Sequence, residues 1–404
     1  MSAQGRTVAV LVTGQILAGL GQGATLSIGA VLAVAVSGSE AWAGAGATLT
    51  TLGSAAAAIP LARLAVAKGR RPALALGALT AACGSVVAVT AAAIHLFPLL
   101  LLGFALLGVG SAVGLQARFA ATDAAEPARR GRDLSIVVWS TTIGAIVGPN
   151  LFGPGAVIGA ALGLPELTGS FVIAIVAQLL AAATYFVLLR PDPLVLAQSG
   201  PVLPAPIADA GIVGARSTLV FAIVALGLSH ATMVSVMSMT PVHLTGHGAS
   251  LVIVGFTISL HVAGMFGLSP LFGWASDRLG RIQVLLMGQL LFIVSIFVTA
   301  LGEANNALVA VGLVLLGLGW SASTVSASAL ISDLVTGSER VRIQGRSDLV
   351  MNIAGAVGGA AAGPVLAVIG YAGLAWAVGI LVLGVIGGAT AVSQRERRSA
   401  FGSR

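Results

Sequence analysis

Two charged side chains stand close together in otherwise apolar sequence: Arg118 and, five positions on, Asp123, in VGLQARFAATDAAEP, with Gln116 just before them. An ionised group in a hydrocarbon core costs at least about 2.5–3.5 kcal/mol, so residues kept there are candidates for handling ions. The chemistry open to this pair is proton loading, with Asp123 taking the proton and Arg118 balancing the empty state. The plainer alternative is a structural pair, with Arg118 snorkelling to the inner surface; i,i+5 is poorer helical geometry than i,i+4. His230, in GLSHATMVSVMSMTP with Ser235 and Ser238 after it, is a second titratable candidate, and His261 is placed to bond a neighbouring helix. Either histidine reads equally as an interior hydrogen-bonded group. His243 and His247 read as solvated loop residues, and the lone Cys83, inside the apolar run 74–94, as a small buried hydrophobe. No spacing assembles a metal site, and no cofactor is expected.

The elements that must position these residues are membrane helices. The chain is 57% apolar and only 8% charged, with mean hydropathy +1.04, against about 25% charged residues in an ordinary soluble domain. Too little charge is available to solvate a surface. The net charge of +7 does not imply nucleic acid, because the basic residues fall in short clusters between long uncharged runs. The amino-terminal stretch is read as the first span and not as a cleaved signal peptide. A helix needs about 20 apolar residues to cross the bilayer core. Breaks at charged and turn-rich segments place spans near 8–35, 43–62, 73–94, 98–120, 135–158 and 169–189, then 217–240, 249–272, 283–301, 307–331, 348–369 and 372–392. The expected fold is therefore all-α and polytopic, with twelve transmembrane helices in two pseudo-symmetric six-helix bundles, 1–190 and 216–404. The proline-rich segment 191–215 reads as a cytoplasmic linker between them. With both termini inside, 19 of the 20 basic residues fall in cytoplasmic segments, while the outer loops carry Glu40, Glu166 and Glu303. That bias predicts a multi-pass protein of the cell membrane, and the Ala/Gly/Arg-rich composition looks bacterial.

The halves repeat. RRGRDLSIVVWSTTIGAIVGP and RIQGRSDLVMNIAGAVGGAAAGP each pair a basic loop with an acid at a helix start, Asp133 or Asp348, 16 residues before Pro149 or Pro364. Gly144 and Gly148 match Gly359 and Gly363 at that spacing. Duplicated bundles can rock about a central site, although channels also contain repeats.

One connection is more specific. GWASDRLGRIQ, between spans 8 and 9, holds Gly273, Asp277, Arg278, Gly280 and Arg281. It resembles the G-x-x-x-D-R-x-G-R loop of the major facilitator superfamily. The resemblance implies that fold, and that Asp277 faces the amino end of helix 5, where a helix dipole favours an acid, locking the cytoplasmic ends in one end state. The matching first-half loop, ARLAVAKGRRP, keeps Gly69, Arg70 and Arg71 but has Ala62 and Val66 where glycine and aspartate stand in the motif. A first-half lock is then weak, or built from other charges such as Asp348. TIGAIVGPNLFGPG resembles the glycine-proline segment of the family's proton-coupled antiporters, with an interrupted final glycine pair and Phe104 where exporters often have arginine in helix 4. Gly144 and Gly148 would face the opposite bundle, with Pro149 bending the helix; generic small-residue packing is the alternative.

In this family helices 1, 4, 7 and 10 line the cavity, which would here offer Gln15, Gln22, Thr25, Gln116, His230 and Trp320 with hydroxyls and methionines. Such a lining suits a small, partly hydrophobic solute. No P-loop or nucleotide domain occurs, so an ion gradient is the expected energy source and an enzymatic role is not expected. The resemblance implies proton-coupled efflux by antiport. Importer, uniporter and non-transporting receptor or scaffold are the alternatives. The partners expected are solute, protons and lipid; the sequence sets no oligomeric state, and a monomer is compatible with it.

Overall fold

The structure, a computed structural model, describes residues 3–39, 42, 45–165, 167–199, 212–249 and 251–402, and it is all-helical apart from turns. Glu40, Glu166, Arg404 and 200–211 of the expected linker lie outside the described residues. Helices α1 (Ala3–Ser37), α2 (Ala45–Lys68), α3 (Arg70–Ala93), α4 (Phe97–Asp123), α5 (Arg130–Val147), α6 (Phe152–Ala161), α7 (Gly169–Ala183) and the short α8 (Pro193–Ser199) precede 200–211. Helices α9 (Ile212–Gly246), α10 (Leu251–Phe266), α11 (Ser269–Leu279), α12 (Arg281–Leu301), α13 (Asn306–Leu334) and α14 (Gly337–Gly402) follow.

Among the described residues, nine helical stretches are long and apolar enough to cross a bilayer. One of them, Glu339–Val392, holds both spans expected at 348–369 and 372–392, with its backbone broken at Gly370 (φ 72°). The span expected at 135–158 is divided: α5 stops before Pro149, a 3-10 turn covers Gly148–Leu151, and α6 resumes the helix. Proline cannot donate within the helical ladder, which accounts for the interruption.

The chain is organised inside out relative to a water-soluble protein. Val368 and Ile380 are 83% and 73% exposed, whereas Gln178, Ser323 and Ser326 are wholly buried. Leu76, Leu79, Cys83 and Val86 form an exposed apolar stripe on α3. Cys83 is therefore on the outer face, and not buried as the apolar run suggested. Only a hydrocarbon solvent makes this arrangement favourable.

Two compact units emerge from the chain's own contacts. The first is Met1–Ala125, Ile136–Gly200 and Gln344–Leu349; the second is Glu126–Ser135, Pro201–Ile343 and Val350–Arg404. Each unit thus includes a short segment from the far half of the sequence. The first has apolar cores around Leu11, Leu74, Val113 and Tyr185, and around Leu32, Leu100, Phe104 and Phe171. Its helices approach closely because glycine leaves room: a Cβ on Gly108 of α4 would strike the Thr50 carbonyl of α2. The second unit's core gathers Met233, Phe292, Leu313, Trp320 and Tyr371.

Helix ends depart most from the sequence reading. The G-x-x-x-D-R-x-G-R segment is not a loop: Gly273 to Leu279 are helical in α11, and Gly280 (φ 108°) is the whole connection to α12. Gly69 (φ 94°) does the same between α2 and α3; positive φ is what favours glycine there. Asp348 is not at a helix start either, because α14 begins at Gly337 and the basic segment with Arg340, Arg342 and Arg346 is already helical. Hydropathy marks where a helix becomes apolar, not where it begins. His243 is 7% exposed and stacks on Tyr371, since α9 continues to Gly246; it is not a solvated loop histidine.

Candidate functional site: two arginine–carboxylate clusters

In the first unit the turn at Gly69 is held by Asp192, whose Oδ2 accepts the Arg71 N–H at 2.8 Å. A Cβ at Gly69 would run into that carboxylate. Arg71 lies over the Phe186 ring, 4.9 Å from its centroid, while Arg70 turns inward and is wholly buried. Its Nε donates to Asp123 Oδ2 at 2.7 Å and its Nη2 to Asp123 Oδ1 at 3.2 Å. Nη1 donates to Gln116 Oε1 at 2.7 Å, and Nη2 also reaches Gln344 Oε1. Beside this fork, Arg118 Nη2 donates to Asp348 Oδ1 at 2.6 Å. Asp123, Arg118 and Asp348 are 4%, 3% and 1% exposed. Two cations and two anions therefore share a dry, formally neutral cluster.

This arrangement revises the local pairing read from the sequence. Arg118 and Asp123 do not pair with each other; at 100° per residue, five residues on a helix point about 140° apart. Arg118 takes Asp348, 230 residues away, and Asp123 takes Arg70, 53 residues away. Snorkelling is equally displaced, since Arg118 is buried.

The second unit carries a related cluster. Asp277 sits at the start of α5, where its two carboxylate oxygens accept the backbone N–H groups of Gly131 (2.9 Å) and Arg132 (2.8 Å). These are donors that the first turn of a helix leaves unsatisfied. Arg281 bonds Asp277 through Nη1 and donates Nε to Asp333 Oδ2 at 2.9 Å. Arg130 Nη1 reaches Asp333 Oδ1 at 2.8 Å. Gly273 is pressed against Gly131 and Ser135, and Arg278 lies over Trp274, 5.3 Å from its centroid. Asp133, in the first turn of α5, is half-buried.

The remaining candidates scatter. Gly144 packs on the backbone of Gly19 in α1, so it is used inside its own unit. On α14, a Cβ at Gly359 would meet only the tip of the Val234 side chain, at 3.2 Å, and nothing approaches Gly363, while Pro364 lies within the helix. The close contacts fall instead at Gly355, against His230, and Gly358, against Ser235 and Ala231. Trp320 Nε1 donates to His230 Nδ1 at 2.9 Å and meets Phe266 edge-on. His261 Nδ1 bonds the Leu313 carbonyl at 2.7 Å. Gln22 accepts from Ser111 at 3.2 Å, and Gln15 donates to Thr141 at 3.0 Å. An apolar cavity of about 350 Å³ opens between α9 and both limbs of α14, with Ser235 the polar side chain among its lining.

The Major Facilitator Superfamily family model matches residues 11–267 and 221–400. The chain belongs to that superfamily. The MFS-type transporter YdeG of Bacillus subtilis (strain 168) is 34% identical over 385 residues, 94% of this chain and 90% of that protein. The riboflavin transporter RfnT of Brucella anthropi is 30% identical over 352 residues, 86% of this chain and 85% of its own length. Among solved structures, the human organic anion transporter MFSD10 superposes with a TM-score of 0.76 at 16% identity, covering 96% of this chain and 100% of that one. A bacterial homologue of the iron transporter ferroportin, in the outward-facing state, gives 0.72 at 15%, covering 96% and 99%. These likenesses establish the fold. As a major facilitator the protein is a multi-pass membrane transporter that moves a small solute by secondary-active alternating access, and its function is not enzymatic.

Three members of the clusters escaped the sequence reading as site residues: Asp333, Arg130 and Gln344. One signal was available. Asp123 follows Arg70 by 53 residues and Asp333 follows Arg281 by 52, so the superfamily's internal repeat points from the first acid to the second.

Proposed function

We propose that the protein is a proton-coupled exporter of a small, partly hydrophobic solute, working by rocker-switch antiport in a bacterial cell membrane. In this reading twelve spans form two six-helix bundles, 1–190 and 216–404, joined by a cytoplasmic linker at 191–215, with both termini in the cytoplasm. The nine apolar stretches support that count when α1 and the α5–α6 pair are added and the broken α14 stretch is taken as two spans. The observation that carries the coupling is the dry Arg70–Asp123–Arg118–Asp348 cluster. Ionisable groups are rarely kept buried in a membrane protein without a task, and this set ties together segments up to 274 residues apart. The Asp277 cluster and Gly69, Gly280 and Pro149 would serve the gating, with Gln22, His230 and Trp320 on the solute path.

The test is flux in proteoliposomes across a chemically diverse labelled panel. Solute movement against its gradient should appear when a proton gradient is imposed and vanish with a protonophore. Flux indifferent to the proton gradient would move the protein to the uniporter class. Ligand binding without any flux would favour a receptor or scaffold.

A second reading, transport of a flat heteroaromatic solute of the riboflavin kind, has its own support. RfnT is named for riboflavin at 30% identity, and Trp320, Phe266 and His230 form an aromatic group on α9, α10 and α13. Riboflavin belongs in the panel, supplied on either side of the membrane so that direction is read independently.

A further inference from the structure

We propose that Asp348, and not Asp123, is the carboxylate that takes up and releases the coupling proton, with Arg118 as the cation that its ionisation holds. The proposal rests on the transporter reading and deepens it by naming the proton site.

The two acids share one cluster but are held differently. Asp123 is gripped by the fork of Arg70 through Nε and Nη2, and the other contacts of that guanidinium go to Gln116 and Gln344. Bidentate geometry of this kind is the strong form of a charge-assisted bond. Arg70 is wholly buried and each of its nitrogens is engaged, so protonating Asp123 would break both arms of the fork and leave Arg70 only the more distant Asp348, which Arg118 already binds. Asp348 is bound by Arg118, whose guanidinium also lies over the Phe119 ring, 4.9 Å from its centroid. An aromatic face is an alternative resting place for a desolvated cation. Arg118 thus keeps a stabilising contact when its anion is neutralised, whereas neutralising Asp123 costs Arg70 both arms of its fork.

The position of Asp348 gives its charge a mechanical consequence. It belongs to Gln344–Leu349, the short far-sequence segment counted in the first unit. The Arg118–Asp348 bond and the Arg70–Gln344 bond attach that segment to α4 and α3, and Gly345 packs it on Ala62 of α2. When a proton bonds to a carboxylate oxygen of Asp348, the ionic tie is lost, while the Arg70–Gln344 bond and the Gly345 packing do not depend on that charge. Deprotonation restores the tie. Binding of the proton and release of the segment are then one equilibrium, which is what coupling requires.

The groups facing Asp348 fit a single exchangeable proton. Arg118 of α4 bonds Asp348 directly and Arg70 of α3 lies near enough to act on its charge, while Asp123 of α4 and Gln344 of its own helix are tied to that Arg70 guanidinium. Arg63 and Lys68 of α2 and Arg346 of α14 are exposed. The cluster is neutral with both acids ionised and gains one charge when one is protonated.

Infrared pH-difference spectroscopy of the purified protein in lipid nanodiscs tests this without any solute, so its result is separate from that of the flux assay. Wild type should show the carbonyl band of a protonated carboxylic acid appearing reversibly as pH falls. That band should be lost in Asp348→Asn and kept in Asp123→Asn. If Asp348→Asn does not fold, Asp348→Glu decides: the band should persist with a shifted frequency and midpoint. A band unchanged in Asp348→Asn or Asp348→Glu, a band lost only with Asp123, or no titrating band in wild type would each overturn the proposal.

Discussion

The two arginine–carboxylate clusters solve one problem with different partners, and the start of a helix decides which. In the second unit α5 begins at Arg130, so the N–H groups of Gly131 and Arg132 lie in its first turn and lack intrahelical acceptors. Asp277 takes both. In the first unit, Gly345 occupies the place against Ala62 that Gly131 occupies against Gly273. But α14 begins at Gly337, eight residues upstream, so the N–H groups around Gly345 already bond within the helix. An acid at position 66 would find no donors there. Valine at position 66 fits that backbone; in this cluster the second anion is on α14, as Asp348, and meets a side-chain cation, Arg118. One cluster is capped by backbone and partly open, with the Asp333 side chain 28% exposed. The other is built from side chains and dry.

Dryness sets the expected cost of damage. Arg70→Ala removes the cation from a buried carboxylate and should lower unfolding stability by about 3–5 kcal/mol. Arg281→Ala leaves Arg130 on the partly solvated Asp333 and should cost about 1–2 kcal/mol. Thermal unfolding midpoints in detergent, followed by intrinsic fluorescence, would rank them; equal losses would break the contrast between the clusters. Added salt should shrink the Arg281→Ala effect and leave that of Arg70→Ala nearly unchanged, because a buried pair is little screened.

Removing the cap is the next smaller step. Asp277→Val copies position 66 into the second unit. It frees two first-turn N–H groups and one partner of Arg281, for a loss of about 1–2 kcal/mol. Hydrogen exchange should localise the change to the amides at the start of α5, around Gly131 and Arg132. A loss spread evenly over the second unit would instead mean that Asp277 acts through packing.

How much of this was legible beforehand follows from which forces are local. The membrane fold was, because apolar length and arginine placement are properties of single segments. The position of Asp277 at the start of α5 followed from a motif that names both acid and helix end. Arg70 with Asp123 was not legible by proximity, since a search along one helix paired Asp123 with Arg118 five residues away. The true partners are set by which helices pack. The start of α14 was also hidden, because GSERVRIQGR is helical but polar, and hydropathy registers only the part that enters lipid. Spacing to Pro364 points to Gly359 and Gly363, whereas the face that α9 covers carries Gly355 and Gly358.

The smallest effect is the most discriminating. If Val66 were a lost aspartate, Val66→Asp would repair the first motif and raise the unfolding midpoint. The helix-start argument predicts otherwise. The new carboxylate would lie half-buried one helical turn from Ala62, and the nearest arginine along the chain towards the interior, Arg70, is already committed to Asp123, Gln116 and Gln344. With no orphan N–H groups to accept from, its desolvation is not offset, and the midpoint should fall slightly, by the equivalent of about 1 kcal/mol. Combining Val66→Asp with Asp277→Val should give additive losses, because the two positions serve separate networks. A rise in midpoint, or rescue of Asp277→Val by the new acid, would mean that the N–H groups near Gly345 are available after all. The two clusters would then be copies of one device instead of two.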